Sequence, residues 1–158
     1  MTAALALAIG FIAGLRSMTA PAAAAWAARL GWLHLDATPL AFLGYRGTAY
    51  VLTALMIGEL VADKLPKTPS RTKPGPFAGR IVTGALSGAA LAGGLGGSLL
   101  LGAMLGAIGA VAGTLGGYRA RTGLVGALGV PDYVVALAED ALAVGGALIV
   151  LSATGVGQ

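Results

Sequence analysis

The sequence predicts an all-α membrane protein of about five transmembrane helices, packed as a compact glycine-rich bundle. Three observations carry this expectation. Hydrophobic residues fill 57% of the 158 positions and charged ones only 10%, with a mean hydropathy of +0.87, more apolar surface than a soluble fold of this length can bury. The apolar residues run in stretches that match a bilayer core of about 30 Å, which takes roughly 20 helical residues per crossing. The only long polar run is "KTPSRTKPGPFAGR", residues 67 to 80.

The elements follow in order as one integral membrane domain, 1–158. Residues 3 to 28 form the first span, interrupted by Arg16, Ser17, Thr19 and Pro21. "GWLHLDATPLAFLGYR" (31 to 46) has turn signals and the aromatics Trp32, Phe42 and Tyr45, and reads as an interfacial connector. Residues 47 to 65 are the second span. In the loop that follows, Pro66, Pro69, Pro74 and Pro76 exclude helix, and Lys64, Lys67, Arg71, Lys73 and Arg80 supply five of the ten basic residues. Residues 81 to about 130 suit two crossings, turning at "GGLGGS" or just after it. The last span runs from about 132 to 153, starting after Pro131 and Asp132.

Net charge is +4 and the isoelectric point about 9.9, but the charges are scattered through hydrophobic sequence, which points to membrane orientation and away from nucleic acid. The basic loop 66–80 is expected on the cytoplasmic side, with the N-terminus inside and the C-terminus outside. The apolar start lacks the basic residues of a signal peptide, so residues 3 to 28 are expected to stay as a span.

Internal repetition is the next signal. "AIGFIAG" (8 to 14) recurs as "AIGAVAG" (107 to 113), each followed by an arginine with a threonine three residues on: Arg16 and Thr19, Arg119 and Thr122. "LVADKL" (60 to 65) matches "LAEDAL" (137 to 142), superposing Asp63 on Asp140. With halves at about 3–65 and 102–153, joined by the loop 66–80 and a span 81–101, the third span forces the halves into opposite orientations. That predicts an inverted-topology repeat with interrupted helices and a midplane site.

A lone arginine at a helix centre costs roughly 3 kcal/mol on insertion scales, so Arg16 needs a partner, water or the protein interior. Glu59 and Asp63 share one face of the second span, and Glu139 and Asp140 are adjacent on the last. The expected site is therefore Arg16, Ser17, Thr19, Glu59, Asp63, Arg119, Thr122, Glu139 and Asp140, binding a small anionic or proton-coupled solute. The competing reading has the same charges stapling helices. If the fourth span ends near Tyr118, Arg119 and Arg121 are ordinary cytoplasmic flank charges.

Glycines spaced by four, such as 10 and 14, 84 and 88, 102 and 106, and 109, 113 and 117, make smooth stripes that let helix backbones approach. Surplus stripes suggest a homo-oligomer, with a dimer favoured. Enzymatic constellations are missing: there is no cysteine, no "GxSxG" and no phosphate loop, and His34, the only histidine, lies in a connector. The sequence thus predicts no enzyme, no cofactor and no metal; the arginines argue against carboxylate-only metal binding.

"GLRSMTAPA", "ELVADKLPKTPSRT", "GRIVTGALSGAALAG" and the late "AEDALA" together resemble the bacterial membrane-protein family catalogued as domain of unknown function 4126. The resemblance spans nearly the whole chain and implies a compact multi-span protein of the bacterial cytoplasmic membrane, without catalytic residues to carry over. Two function classes follow: a small transporter or channel built on the Arg and acidic pairs, or a non-transporting structural or lipid-handling protein whose charges staple helices. A polar crevice reaching Arg16 and the carboxylates favours the first. Direct pairs sealed in the core favour the second.

Overall fold

The structure, a computed structural model, describes residues 1–64 and 71–155. Among these residues there are six α-helices and no strand: α1 (Thr2–Leu15), α2 (Thr19–Arg29), α3 (Arg46–Ala62), α4 (Pro74–Gly94), α5 (Leu99–Leu128) and α6 (Asp132–Gly155), with a short 3-10 turn at Ala41–Gly44 in the connector before α3. Helices α5 and α6 are long and apolar enough to cross a membrane. Only 33% and 39% of their most apolar windows are buried in the protein, so most of that apolar surface faces outward.

The helices alternate in direction. His34 donates its backbone N–H to the carbonyl of Gly94, and Gly97 sits beside Thr2, so the starts of α1 and α5 and the ends of α2 and α4 lie at one end of the bundle. Trp32 packs near Gly155, adding the end of α6 to the same group. The opposite end holds the Arg16–Met18 turn, Asp63, Arg71 and the α5–α6 connection, which ion pairs draw together.

That arrangement revises several expectations. Residues 3 to 28 form a helical hairpin and not one span. Arg16 is extended, with φ −139° and ψ 109°, and α2 starts afresh at Thr19. Pro21 falls in the first turn of α2, where its missing N–H would have no intrahelical partner in any case. Pro74 and Pro76 likewise sit in the first turn of α4 instead of excluding helix, so the basic loop is shorter than 66–80; its residues 65–70 lie outside the described ones. The N-terminus and Gly155 share the end opposite Lys64 and Arg71, whereas the five-span reading put the two termini on opposite sides.

The repeat is corrected too. Along α1 and α5 the contacts advance together, Leu7 with Gly109, Phe11 with Gly113 and Leu15 with Gly117, so the two matched segments run side by side in one direction. The segments holding Asp63 and Asp140, by contrast, belong to the antiparallel helices α3 and α6. No single inversion relates both pairs. Helix α5 also passes through Gly116, Gly117 and Gly123 without interruption, ending at Gly129 with φ 62°. The shared "AIG..AG" pattern instead records a common packing need. A methyl added at Gly10 or Gly106 would overlap facing backbone, as would one at Gly84 or Gly88 on α4. The glycines expected to smooth the helices thus bring α1, α4 and α5 together at backbone distance.

Candidate functional site

The cluster of charges sits where the α1–α2 hairpin turns. Two backbone N–H groups, of Ser17 and Met18, are left over by the break. Both donate to Glu59 on α3 at 2.8 Å, and the Ser17 hydroxyl donates to the same carboxylate at 2.8 Å. A carboxylate from another helix therefore does what a local N-cap residue would do for α2, with its charge near the positive end of that helix. Arg80 of α4 lies 3.5 Å from the same Glu59 oxygen.

Arg16, wholly buried, is held by two helices. It bonds the Asp63 carboxylate at the end of α3, and its other terminal nitrogen is 2.5 Å from Asp140 of α6, with Glu139 at 4.0 Å. The Asp140 pair is a charge contact more than an aligned hydrogen bond, since neither that nitrogen nor Asp140 Oδ1 has a well-directed partner among the described residues. A guanidinium in hydrocarbon-like surroundings is tolerable only with such opposite charge beside it.

Around this core lies a second set of ions. Arg71 forks onto both oxygens of Glu139, one of these bonds being 2.8 Å, the planar two-point contact that arginine makes and lysine cannot. Arg121 of α5 reaches Asp63 at 3.3 Å, Glu139 at 3.6 Å and Asp132 at 2.5 Å. Lys64 donates to Asp140 at 2.6 Å. Arg16, Lys64, Arg71, Arg80 and Arg121 thus face Glu59, Asp63, Asp132, Glu139 and Asp140, and the cluster is formally neutral. Exposure rises outward from Arg16 at 0% to the Asp132 side chain at 61%, so the cluster meets solvent at Asp132 and Lys64.

Six of the nine expected site residues meet here: Arg16, Ser17, Glu59, Asp63, Glu139 and Asp140. Thr19 is buried nearby, but its hydroxyl bonds none of them. Arg119 and Thr122 fall outside. Arg119 is exposed, and the Thr122 hydroxyl returns to the Tyr118 and Arg119 carbonyls of its own helix. The arginine of α5 that enters is Arg121, because two residues along a helix turn the side chain by about 200°. Sequence reading missed Arg71 and Arg80, which it assigned to a solvated loop. The signal available was charge balance: four carboxylates in or beside apolar spans demand more cations than Arg16 and Arg119 provide.

Toward the other end of the bundle, α1 and α6 bury Ile9, Ile12, Ala13, Ala143, Ala147 and Leu151. No protein-family model, curated protein or solved structure matches the chain.

Proposed function

We propose that the protein is a multi-pass protein of the bacterial cytoplasmic membrane with a structural or lipid-handling role, in which the charged cluster locks the helix ends together and no solute passes through it. The supporting observation is the setting of Arg16: wholly buried and in direct contact with Asp63 and Asp140. A transport site would leave guanidinium and carboxylate facing a polar crevice. Here each charge faces its opposite, which favours holding helices over binding an ion.

In a bilayer, α1 and α2 at 14 and 11 residues rise only about 21 and 16 Å and form a hairpin whose turn at Arg16 is level with Asp63 at the end of α3. Helices α3 to α6 then cross, and the end with Lys64, Arg71, Lys73 and Arg119 faces the cytoplasm. Single cysteines placed at Thr2 and Ser152 label from the same side and one at Lys73 from the other, in a background with no native cysteine. Labelling of Thr2 and Ser152 from opposite faces would restore the five-span topology.

Proteoliposome flux decides between the two function classes. With a panel of small anions and imposed pH gradients, the reconstituted chain is expected to carry no more than empty liposomes. Saturable flux abolished by Arg16→Lys, a change that keeps the charge and loses the fork, would overturn the reading.

A further inference from the structure

The bundle has an unfilled groove that starts beside the charged cluster, at Thr19, and leads away from it. Its floor is α2, where Ala22, Ala23 and Ala27 project only methyl groups, and its walls rise from α3 and α6. The cavity measures about 320 Å³, opens to the outside, and runs from the level of Thr19 to that of Leu30, about 16 Å by helical rise. Trp26 and Trp32, the only tryptophans in the chain, both line it.

Two features say what it takes. The first is that its polar atoms at Trp26 and Thr53 are already satisfied from within: the Trp26 indole N–H donates to the Thr53 hydroxyl at 2.9 Å, and that hydroxyl donates to the Ala49 carbonyl at 2.8 Å. Trp26 is further braced by an edge contact with Tyr50, ring centroids 5.5 Å apart. Apart from the Thr19 hydroxyl at its inner end, which has no hydrogen-bond partner among the described residues, the groove is preformed and offers little to water, which suits a hydrocarbon chain.

The second feature is charge at one mouth. Helices α2 and α3 are antiparallel, and the pairing of Trp26 with Tyr50 and Thr53 brings Arg29, one turn on, level with Arg46, one turn back. Both arginines are exposed, and neither forms an ion pair among the described residues; Arg46 instead lies over the Tyr50 ring at 5.7 Å. Trp32, Phe42, Tyr45 and Tyr50, all exposed, mark this end as one that sits at a membrane interface.

We infer that the groove between α3 and α6 binds one acyl chain of an anionic glycerophospholipid, whose phosphate is held by Arg29 and Arg46. The inference rests on the membrane reading above and adds a ligand class to it. Charge complementarity sets the head group, and the apolar groove sets the tail. Two arginines address one phosphate by charge-assisted hydrogen bonds.

The two groove tryptophans provide the readout. The full chain in nanodiscs of unbrominated phosphatidylcholine is titrated with phosphatidylglycerol carrying brominated acyl chains, and separately with phosphatidylcholine carrying the same chains. Brominated phosphatidylglycerol is expected to reach half-quenching at a mole fraction about tenfold lower, given two arginines near the head group. Arg29→Gln with Arg46→Gln, both exposed substitutions, brings the two curves together, and Ala23→Leu, which fills the floor, removes the saturable component for both lipids. Glycerol phosphate without acyl chains does not displace the brominated lipid. Coincident curves in the unaltered chain, a preference that survives the double arginine change, or displacement by glycerol phosphate would each overturn the proposal. No quenching by either lipid would instead count against the membrane reading itself, and solute flux, if found, leaves the lipid result standing.

Discussion

The two halves of the bundle are packed by opposite rules. In one, α1, α4 and α5 touch through glycine, and no side chain larger than hydrogen fits at Gly10, Gly84, Gly88 or Gly106. In the other, α2 meets α3 and α6 through alanine and leaves a groove that its own side chains do not fill. The glycine half gains its cohesion from dense van der Waals contact between closely approaching backbones. The alanine half relies on a few directed contacts, Trp26 with Thr53 and Glu59 with the hairpin turn, and these fix geometry without closing the space. One half is therefore intolerant of added volume and the other has room for it.

The largest effect expected from breaking this contrast is at Gly106, which faces Gly10 and Gly84 at once. Overpacking ordinarily costs about 1–3 kcal/mol, but here the obstacle is backbone, which cannot rotate away. Gly106→Leu should force α1 and α4 off α5. The expected outcome is no monodisperse peak on size exclusion in detergent. A Gly106→Leu chain that purifies with unaltered thermal stability would show that the glycine contacts do not hold the half together.

Next in size is Arg16, which joins the halves, since it leaves α1 and pairs with α3 and α6. Arg16→Ala leaves the buried cluster one cation short, with Asp140 keeping only the partly exposed Lys64, and should cost about 3 kcal/mol, seen as a large fall in the melting midpoint. Removing both signs is the control. Arg16→Met with Asp140→Leu should recover most of that loss, because Asp63 keeps Arg71 and Arg121 while Lys64, partly exposed, can turn to water. A double variant no more stable than Arg16→Ala would mean that the arginine does more than balance charge.

The smallest effect is expected in the groove. Ala23→Leu adds volume where volume is free, so its stability should lie within about 0.5 kcal/mol of the unaltered chain, the range of substitutions that meet no obstacle. The same enlargement that destroys the glycine half should pass almost unnoticed here. A drop of several kcal/mol would show that α3 closes on α6 across the groove.

How far the sequence foretold these halves varies by residue. The glycine half was legible as spacing: glycines in steps of four on long apolar runs predict close helix approach, and the turn between α4 and α5 and the end of α5 fall near the expected positions, whereas α4 begins at Pro74, ahead of the expected start at 81. The spacing also produced an error. Identical packing needs on α1 and α5 imitated a repeat, and the inverted symmetry drawn from it disappears once the two helices are seen to run in parallel. The charged cluster was half legible. The cost of a charge in an apolar span singled out Arg16, Glu59, Asp63, Glu139 and Asp140, whereas Arg71 and Arg80 belong to the polar, proline-containing run and resemble solvated loop residues until the fold carries them inward.

What the sequence by itself determined is therefore the material of the protein: helices, because long apolar runs satisfy their backbone within each segment as helix; glycine contacts, because nothing larger recurs at those positions; and buried ion pairs, because its few charges interrupt hydrophobic runs. The tertiary structure alone decided direction and partnership. Whether "GLRSMTAP" continues a span or reverses it depends on Glu59, 42 residues from Ser17, reaching the turn to accept its stranded N–H groups. Whether Arg119 or Arg121 joins the cluster depends on the rotational setting of α5, which its glycine contacts with α1 fix. Both choices are made by contacts between residues far apart in the chain, and a local pattern of residues does not contain them.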